Sequence, residues 1–241
     1  MDYIYKEDAW ESIVAPAKVF VMDRRMYFFL IAAIFSFLLM IARKKKYPEI
    51  QVWKMAVMMI WVSITGILAL KILSFIEKGT IGGDSMFGAV FFMPVFMMPM
   101  TLLKISYKDV MNLYAPTQIL GFAIVKIDCL LEGCCMGRYL PSLNVQFPSQ
   151  IADMLVGIAV IAILLWIEHR KPWVSLYPWL MVIFGSARFV VDWFRYVPKP
   201  WKWGLPPTIL WSLISILVGS IWLLLIMKRK PVRKKKGKKN T

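Results

Sequence analysis

Residues 126–140 read "KIDCLLEGCCMGRYL". They close an apolar stretch of membrane length and then turn abruptly to an acid, two glycines, two adjacent cysteines and an arginine. A segment that only crossed a bilayer would stay apolar, because a charged side chain near the centre of a span costs at least ~2.5 kcal/mol. This stretch therefore reads as a spanning helix whose end serves a polar site.

The whole chain agrees with a membrane setting. Of its 241 residues 59% are hydrophobic and only 18% are charged, whereas soluble domains sit near half and a quarter. A hydrocarbon core of about 30 Å takes roughly 20 helical residues. Seven stretches approach that length, at 26–42, 52–73, 86–103, 113–131, 151–167, 176–193 and 208–227. The expected fold is all-α, an integral membrane protein of seven transmembrane helices spread over residues 26–227. Pro94 and Pro99 interrupt the third stretch and predict a kink, tolerated where neighbours satisfy the freed backbone groups. No internal repeat of the kind found in duplicated transporters is evident.

Residues 1–25 carry Asp2, Glu7, Asp8 and Glu11 where a signal peptide would be basic. With Tyr3, Tyr5 and Trp10 they read as an amphipathic interfacial segment ahead of the first span. The net charge is +16, and nine Lys and Arg residues fall in 228–239, a basic tail after the last span. Basic clusters beside spans mark cytoplasmic loops next to anionic lipid. The distribution argues against nucleic acid as a partner. With the tail 228–241 inside, the basic stretches at 43–54, 104–108 and 168–171 also fall inside, and the N-terminus falls outside. The outer loops are then 77–85, 132–150 and 194–207, so three polar clusters meet on one side.

Arg188, Asp192 and Arg195 are spaced i, i+4 and i+7 and share a helix face. They fit an anion site, with guanidinium forks on phosphate oxygens, or a structural pair in which Arg195 reaches the headgroups. Lys126 and Asp128 are two apart and cannot neutralise each other within one helix. Lys126 is either a snorkelling lysine or a further cation for the same anion. Gly83, Ser85 and Gly88 open the third span as a glycine-rich helix start that can offer backbone N–H donors to an anion. Gly133 and Gly137 let the chain leave the fourth span and turn.

Cys129, Cys134 and Cys135 lie within seven residues. A structural zinc site needs four ligands, and the single histidine, His169, falls on the opposite side, so no metal and no cofactor is expected. A disulfide from Cys129 to one of the pair, small buried thiols, and a reactive thiol beside basic groups all remain open.

Read in order, these segments resemble the prolipoprotein diacylglyceryl transferase family. "GDSMFGA" at 83–89 is similar to the family's "GxSFHGG"-like stretch, "KIDCLLEGCCMGR" at 126–138 to its "RxGNFxNxExxGR" signature, "FPSQIAD" at 147–153 to "HPSQLYE", and "FGSARFVVDWFR" at 184–195 to "YGxxRFxxEFxR". The chain departs from the pattern at Phe87 (histidine in the family), Lys126 (arginine), Cys129 and Glu132 (asparagines), Cys134 (glutamate), Ala152 (tyrosine), and Asp153 and Asp192 (glutamates). Gly133, Gly137, Arg138, Ser149, Gln150, Arg188 and Arg195 match it.

The resemblance implies a seven-span transferase that moves diacylglyceryl from phosphatidylglycerol to the lipobox cysteine of a prolipoprotein signal peptide and releases glycerol phosphate. It implies catalytic roles for Lys126, Glu132, Arg138, Arg188, Asp192 and Arg195. Substrate contacts would come from Gly83, Ser85, Gly88, Gly133, Gly137, Ser149, Gln150 and Asp153. The attacking sulfur belongs to the incoming substrate, which leaves Cys134 and Cys135 to shape the pocket. With histidine absent at Phe87, the base candidates are Asp192, Glu132 and Asp153. The alternatives are a divergent paralogue with another acceptor or headgroup, and a non-catalytic lipid-binding membrane subunit.

Overall fold

A computed structural model describes residues 24–79, 85–141, 144–196 and 207–228. Among them run seven α-helices: α1 (Arg24–Ala42), α2 (Val52–Lys78), α3 (Met86–Phe96), α4 (Tyr107–Leu131), α5 (Ser149–Arg170), α6 (Leu176–Trp193) and α7 (Pro207–Lys228). Five of these, α1, α2, α4, α5 and α7, are long and apolar enough to cross a membrane. A two-residue antiparallel pair, β1 (Tyr139–Leu140) and β2 (Val145–Gln146), lies between α4 and α5.

α4 is the axis. Over half of its apolar stretch is buried, 56% against a third or less in the other four, and it packs against α1, α5 and α6. The outer helices instead expose large apolar side chains such as Ile34, Ile60 and Leu217. Water would penalise such a surface, whereas lipid tails match it.

Two expectations need correction. The first helix reaches at least to Arg24, so the boundary expected after residue 25 falls inside a helix; the rest of the N-terminal segment, 1–23, lies outside the described residues. The third stretch is not one kinked helix: α3 ends at Phe96 after 11 residues, and Met98–Leu103 continues as a 3-10 helix. Pro94 lacks the N–H that would bind the carbonyl of Val90, one turn back. The Tyr177 hydroxyl lies 2.9 Å from that carbonyl and takes over as donor. Tyr107 donates to the Pro94 carbonyl at 2.8 Å and Trp61 to that of Phe96 at 2.7 Å.

The same device recurs in α4. Pro116 frees the carbonyl of Asn112, and Arg43 donates to it at 2.8 Å and to Leu113 at 2.9 Å. Arg43 also pairs with Glu168 among buried neighbours. It is thus a buried structural group, not one more charge of the basic cluster after the first span. Prolines interrupt two apolar helices here because side chains from other helices replace the lost bonds.

Candidate functional site

α4 ends in a turn that the glycine makes possible. Gly133 has φ 67°, the left-handed region that only glycine enters freely. Its N–H binds the Leu130 carbonyl at 3.2 Å, and the Cys134 N–H binds the Cys129 carbonyl at 3.1 Å. This is the Schellman pattern of helix termination. Cys135, at φ 59°, reverses the chain again. Ser149 Oγ donates to the Cys135 carbonyl, and Gln150 Nε2 donates to that of Cys134 at 2.6 Å. The start of α5 therefore clamps the cysteine loop through Ser149 and Gln150.

The turn returns Cys134 and Cys135 to Cys129. All three are free thiols, with their sulfur atoms within 4.8 Å of one another. Thiol hydrogen bonds from Cys129 and Cys134 favour the thiolate at Cys135 and lower its pKa, and Lys126 and Arg195 act in the same direction.

Beneath the loop lies a buried charge cluster centred on Asp153 of α5. Arg188 Nη1 donates to its Oδ1, while Arg195 Nη2 at 2.7 Å and Lys126 Nζ at 2.8 Å hold its Oδ2. Asp192 Oδ1 receives Arg188 Nη2 at 2.7 Å and lies 3.5 Å from Arg195. Three positive charges against two negative leave a formal charge of +1. Arg188 Nε, Arg195 Nε and Asp192 Oδ2 are buried without a hydrogen-bond partner, so two guanidinium donors and one carboxylate acceptor are still unused. The Phe122 ring supports the cluster from α4, 5.3 Å from Lys126 Nζ and 5.7 Å from the Arg188 guanidinium carbon.

A cavity of about 370 Å³ opens between α1, α2, α3 and α4, and of the cluster only Lys126, with its support Phe122, lines it. Lys126, Asp128, Glu132 and the three cysteines line its polar end, and Phe29, Met59, Leu70 and Met86 line the apolar remainder. Arg24 and Arg25 of α1 face the polar end. Arg24 binds Asp128 at 2.7 Å, and Arg25 binds Glu132 at 2.7 Å. The Arg25 hydrogen bond holds the Glu132 carboxyl below the usual carboxylate range.

The profile of the prolipoprotein diacylglyceryl transferases matches residues 19–226. The chain belongs to the prolipoprotein diacylglyceryl transferase family. It is 30% identical over 154 residues to phosphatidylglycerol–prolipoprotein diacylglyceryl transferase 2 of Clostridium perfringens, a match covering 56% of this chain and 58% of that relative. The chain thus spans less than two thirds of the relative's length. With apolar helices of spanning length, this transferase-family chain is a multi-pass membrane protein.

Against the family signature, the positions behave unequally. Lys126, Asp153, Arg188, Asp192 and Arg195 come together, although they are up to 69 positions apart, as from Lys126 to Arg195. Arg138 is exposed and stands outside the cluster, with Nε 3.3 Å from the Arg195 carbonyl. Gly137 is a packing position: a Cβ there would lie 2.3 Å from the Phe147 carbonyl oxygen. Its N–H also binds that oxygen, and Gly137 bridges Arg195. Gly88 packs against α2, where a Cβ would meet the Ala69 carbonyl at 2.0 Å. Ser85 donates to Glu77 at 2.6 Å, and neither Ser85 nor Gly88 lines the cavity. Gly83 lies outside the described residues.

Phe87, which the motif resemblance sets against a family histidine, is buried and packs 5.9 Å from Phe184. Asp153 and Asp192 are both locked by guanidinium groups and Glu132 by Arg25, so each candidate base is tied into an ion pair. Sequence reading missed Arg24, Arg25 and Phe122. The Arg24–Arg25 doublet ahead of an apolar run was the available signal for a partner to Asp128 and Glu132.

Proposed function

We infer that this protein binds an anionic phospholipid at the cluster around Asp153 and transfers its diacylglyceryl group to a thiol acceptor. The donor is phosphatidylglycerol and the acceptor is the lipobox cysteine of a prolipoprotein signal peptide. One observation carries the reading: a buried, net-positive cluster reaches a largely apolar cavity through Lys126. A phospholipid has that same polarity, with a phosphate at one end and acyl chains at the other.

Arg188, Arg195 and Lys126 stabilise charge on the departing phosphate. Preorganised donors in a water-poor site are the strongest means of doing so. Asp153 and Asp192 hold the three cations in place. Glu132 lines the cavity and Arg138 is exposed on the turn that follows α4, so both are open to the glycerol head and the incoming peptide. Sulfur displaces the phosphate oxygen at carbon, so a C–S bond forms, a C–O bond breaks, and glycerol phosphate leaves with the electron pair.

In this reading all seven helices cross the membrane, α3 together with the 3-10 segment that follows it. The N-terminal segment lies outside and the basic tail, 228–241, lies in the cytoplasm. The distribution of basic loops supports that orientation.

The test uses the full chain in phosphatidylglycerol micelles with a lipobox peptide, and reads thioether formation by mass spectrometry and glycerol phosphate release. Arg188→Ala should lose at least about 100-fold in rate, the scale of one removed charge-stabilising donor, while Lys230→Ala in the tail should retain it. Lipid binding without turnover would leave a lipid-binding subunit, and glycerol phosphate release without peptide modification would leave a transferase with another acceptor.

A further inference from the structure

The proposed reaction needs a thiolate, and a free thiol with a pKa of about 8.5 is mostly protonated at neutral pH. The base candidates do not meet that need. Phe87 cannot take a proton, a carboxylate already held by arginine or lysine is a poor acceptor, as at Asp153 and Glu132, and Asp192, whose Oδ2 is unpaired, is fully buried and does not line the cavity. Metal coordination is the other general route, since a thiol bound to a thiophilic cation is deprotonated outright.

The three cysteines supply a donor set for such a cation. Zinc holds sulfur at about 2.3 Å, so thiolates in a tetrahedral shell lie about 3.8 Å apart. Cys129, Cys134 and Cys135 already have their sulfur atoms within 4.8 Å of one another, so closing on an ion takes shifts of about 1 Å or less. The donor set is built by the backbone. The Schellman turn at Gly133 and the left-handed Cys135 fold the pair back over Cys129, and Ser149 and Gln150 fasten the loop. Three protein ligands satisfy neither a structural zinc site nor an inert one. They are the arrangement of a catalytic site, with one position left for substrate. All three cysteines also line the cavity assigned to the lipid.

We propose that Cys129, Cys134 and Cys135 form a three-thiolate site for zinc, whose fourth position takes the sulfur of the acceptor cysteine. This deepens the transferase reading and rests on it. The acceptor thiol gives its proton to water as it binds the ion. Its sulfur then attacks the glyceryl carbon, the C–O bond to phosphate breaks, and no redox partner is needed. Lys126, which lines the same cavity as the three cysteines, offsets the negative charge of the thiolate shell. The cysteines act as ligands rather than nucleophiles, which replaces the packing role expected from the sequence and reverses the expectation that no metal binds.

The experiment uses the full-length protein, purified in detergent under reducing conditions without a histidine tag. Elemental analysis should find about one zinc per chain. After exchange, Co(II) should give a sulfur-to-cobalt charge-transfer band that a cysteine lipobox peptide changes and its serine analogue does not. Cys129→Ser and Cys135→Ser should each lose at least about 10-fold in zinc affinity, the scale of a damaged ligand set; circular dichroism checks that each remains helical. A wild-type chain that binds no zinc, or a cobalt band indifferent to the cysteine peptide, overturns the proposal. Diacylglyceryl transfer is followed on the same samples. Transfer that persists in metal-free protein sinks the zinc site and leaves the transferase standing. A responsive cobalt band with no transfer from phosphatidylglycerol supports the site and removes the transferase reading.

Discussion

Asp153→Asn is the sharpest test of the charge cluster. Asp153 is fully buried and is the shared acceptor of Lys126, Arg188 and Arg195. The substitution keeps the shape, removes one negative charge and raises the formal charge of the cluster from +1 to +2. The amide also turns an NH₂ donor toward cations that have only donors to offer. Breaking a buried ion pair costs about 3–5 kcal/mol, because the surviving charge stays desolvated. At roughly 2–4 °C per kcal/mol for a chain of this size, the melting temperature should fall by about 6–20 °C. The assay is thermal unfolding of the purified protein, followed by circular dichroism in neutral-detergent micelles and again with phosphatidylglycerol added. If the three cations receive a phosphate, the anionic lipid should recover part of the loss in the variant. A fall below about 4 °C would show that the cluster is solvated or slack. An equal fall in both micelles would deny that it faces the lipid phosphate.

Tyr177→Phe removes the donor that serves the Val90 carbonyl and should cost about 1–3 kcal/mol, the desolvation penalty of an orphaned buried acceptor. Pro94→Ala restores the missing N–H, so the double variant should be less destabilised than the sum of the two in a melting cycle. The Arg25 hydrogen bond holds the Glu132 carboxyl pKa below its ordinary value. Its contribution is therefore present above the unfolded value and lost as pH falls through the folded one. Because the pair is exposed, Glu132→Gln should lower stability at neutral pH by only about 0.5 kcal/mol, a difference that vanishes in acid and so flattens the acid side of the stability curve. A fluorescent protein fused after Thr241 should report from the cytoplasm, and Tyr139→Cys should react with an impermeant reagent from outside beyond the parent's own labelling. The reverse pattern would invert the proposed orientation.

Residue type and order alone determined the helical membrane character, the spacing of Arg188 and Asp192 on one face, and the family motifs from Gly83 to Arg195. These are local properties. Apolar run length and 3.6-residue periodicity are written in neighbouring residues, as is the glycine that ends α4. Partnership over long separations is not. Nothing near Asp153 in the chain announces that its carboxylate is shared by groups 27, 35 and 42 positions away. Nor does Pro94 name Tyr177, or Pro116 name Arg43, as the donor that rescues a carbonyl. The cysteines sit between the two cases. They are close in sequence, yet on a continuing helix Cys134 and Cys135 would lie one to two turns from Cys129 and point away along the axis. Only the reversal at Gly133, held by the start of α5, gathers the three sulfur atoms at the mouth of the cavity. The tertiary structure decided these pairings because in a dry interior every charge and every free carbonyl must find a partner, wherever in the chain that partner lies.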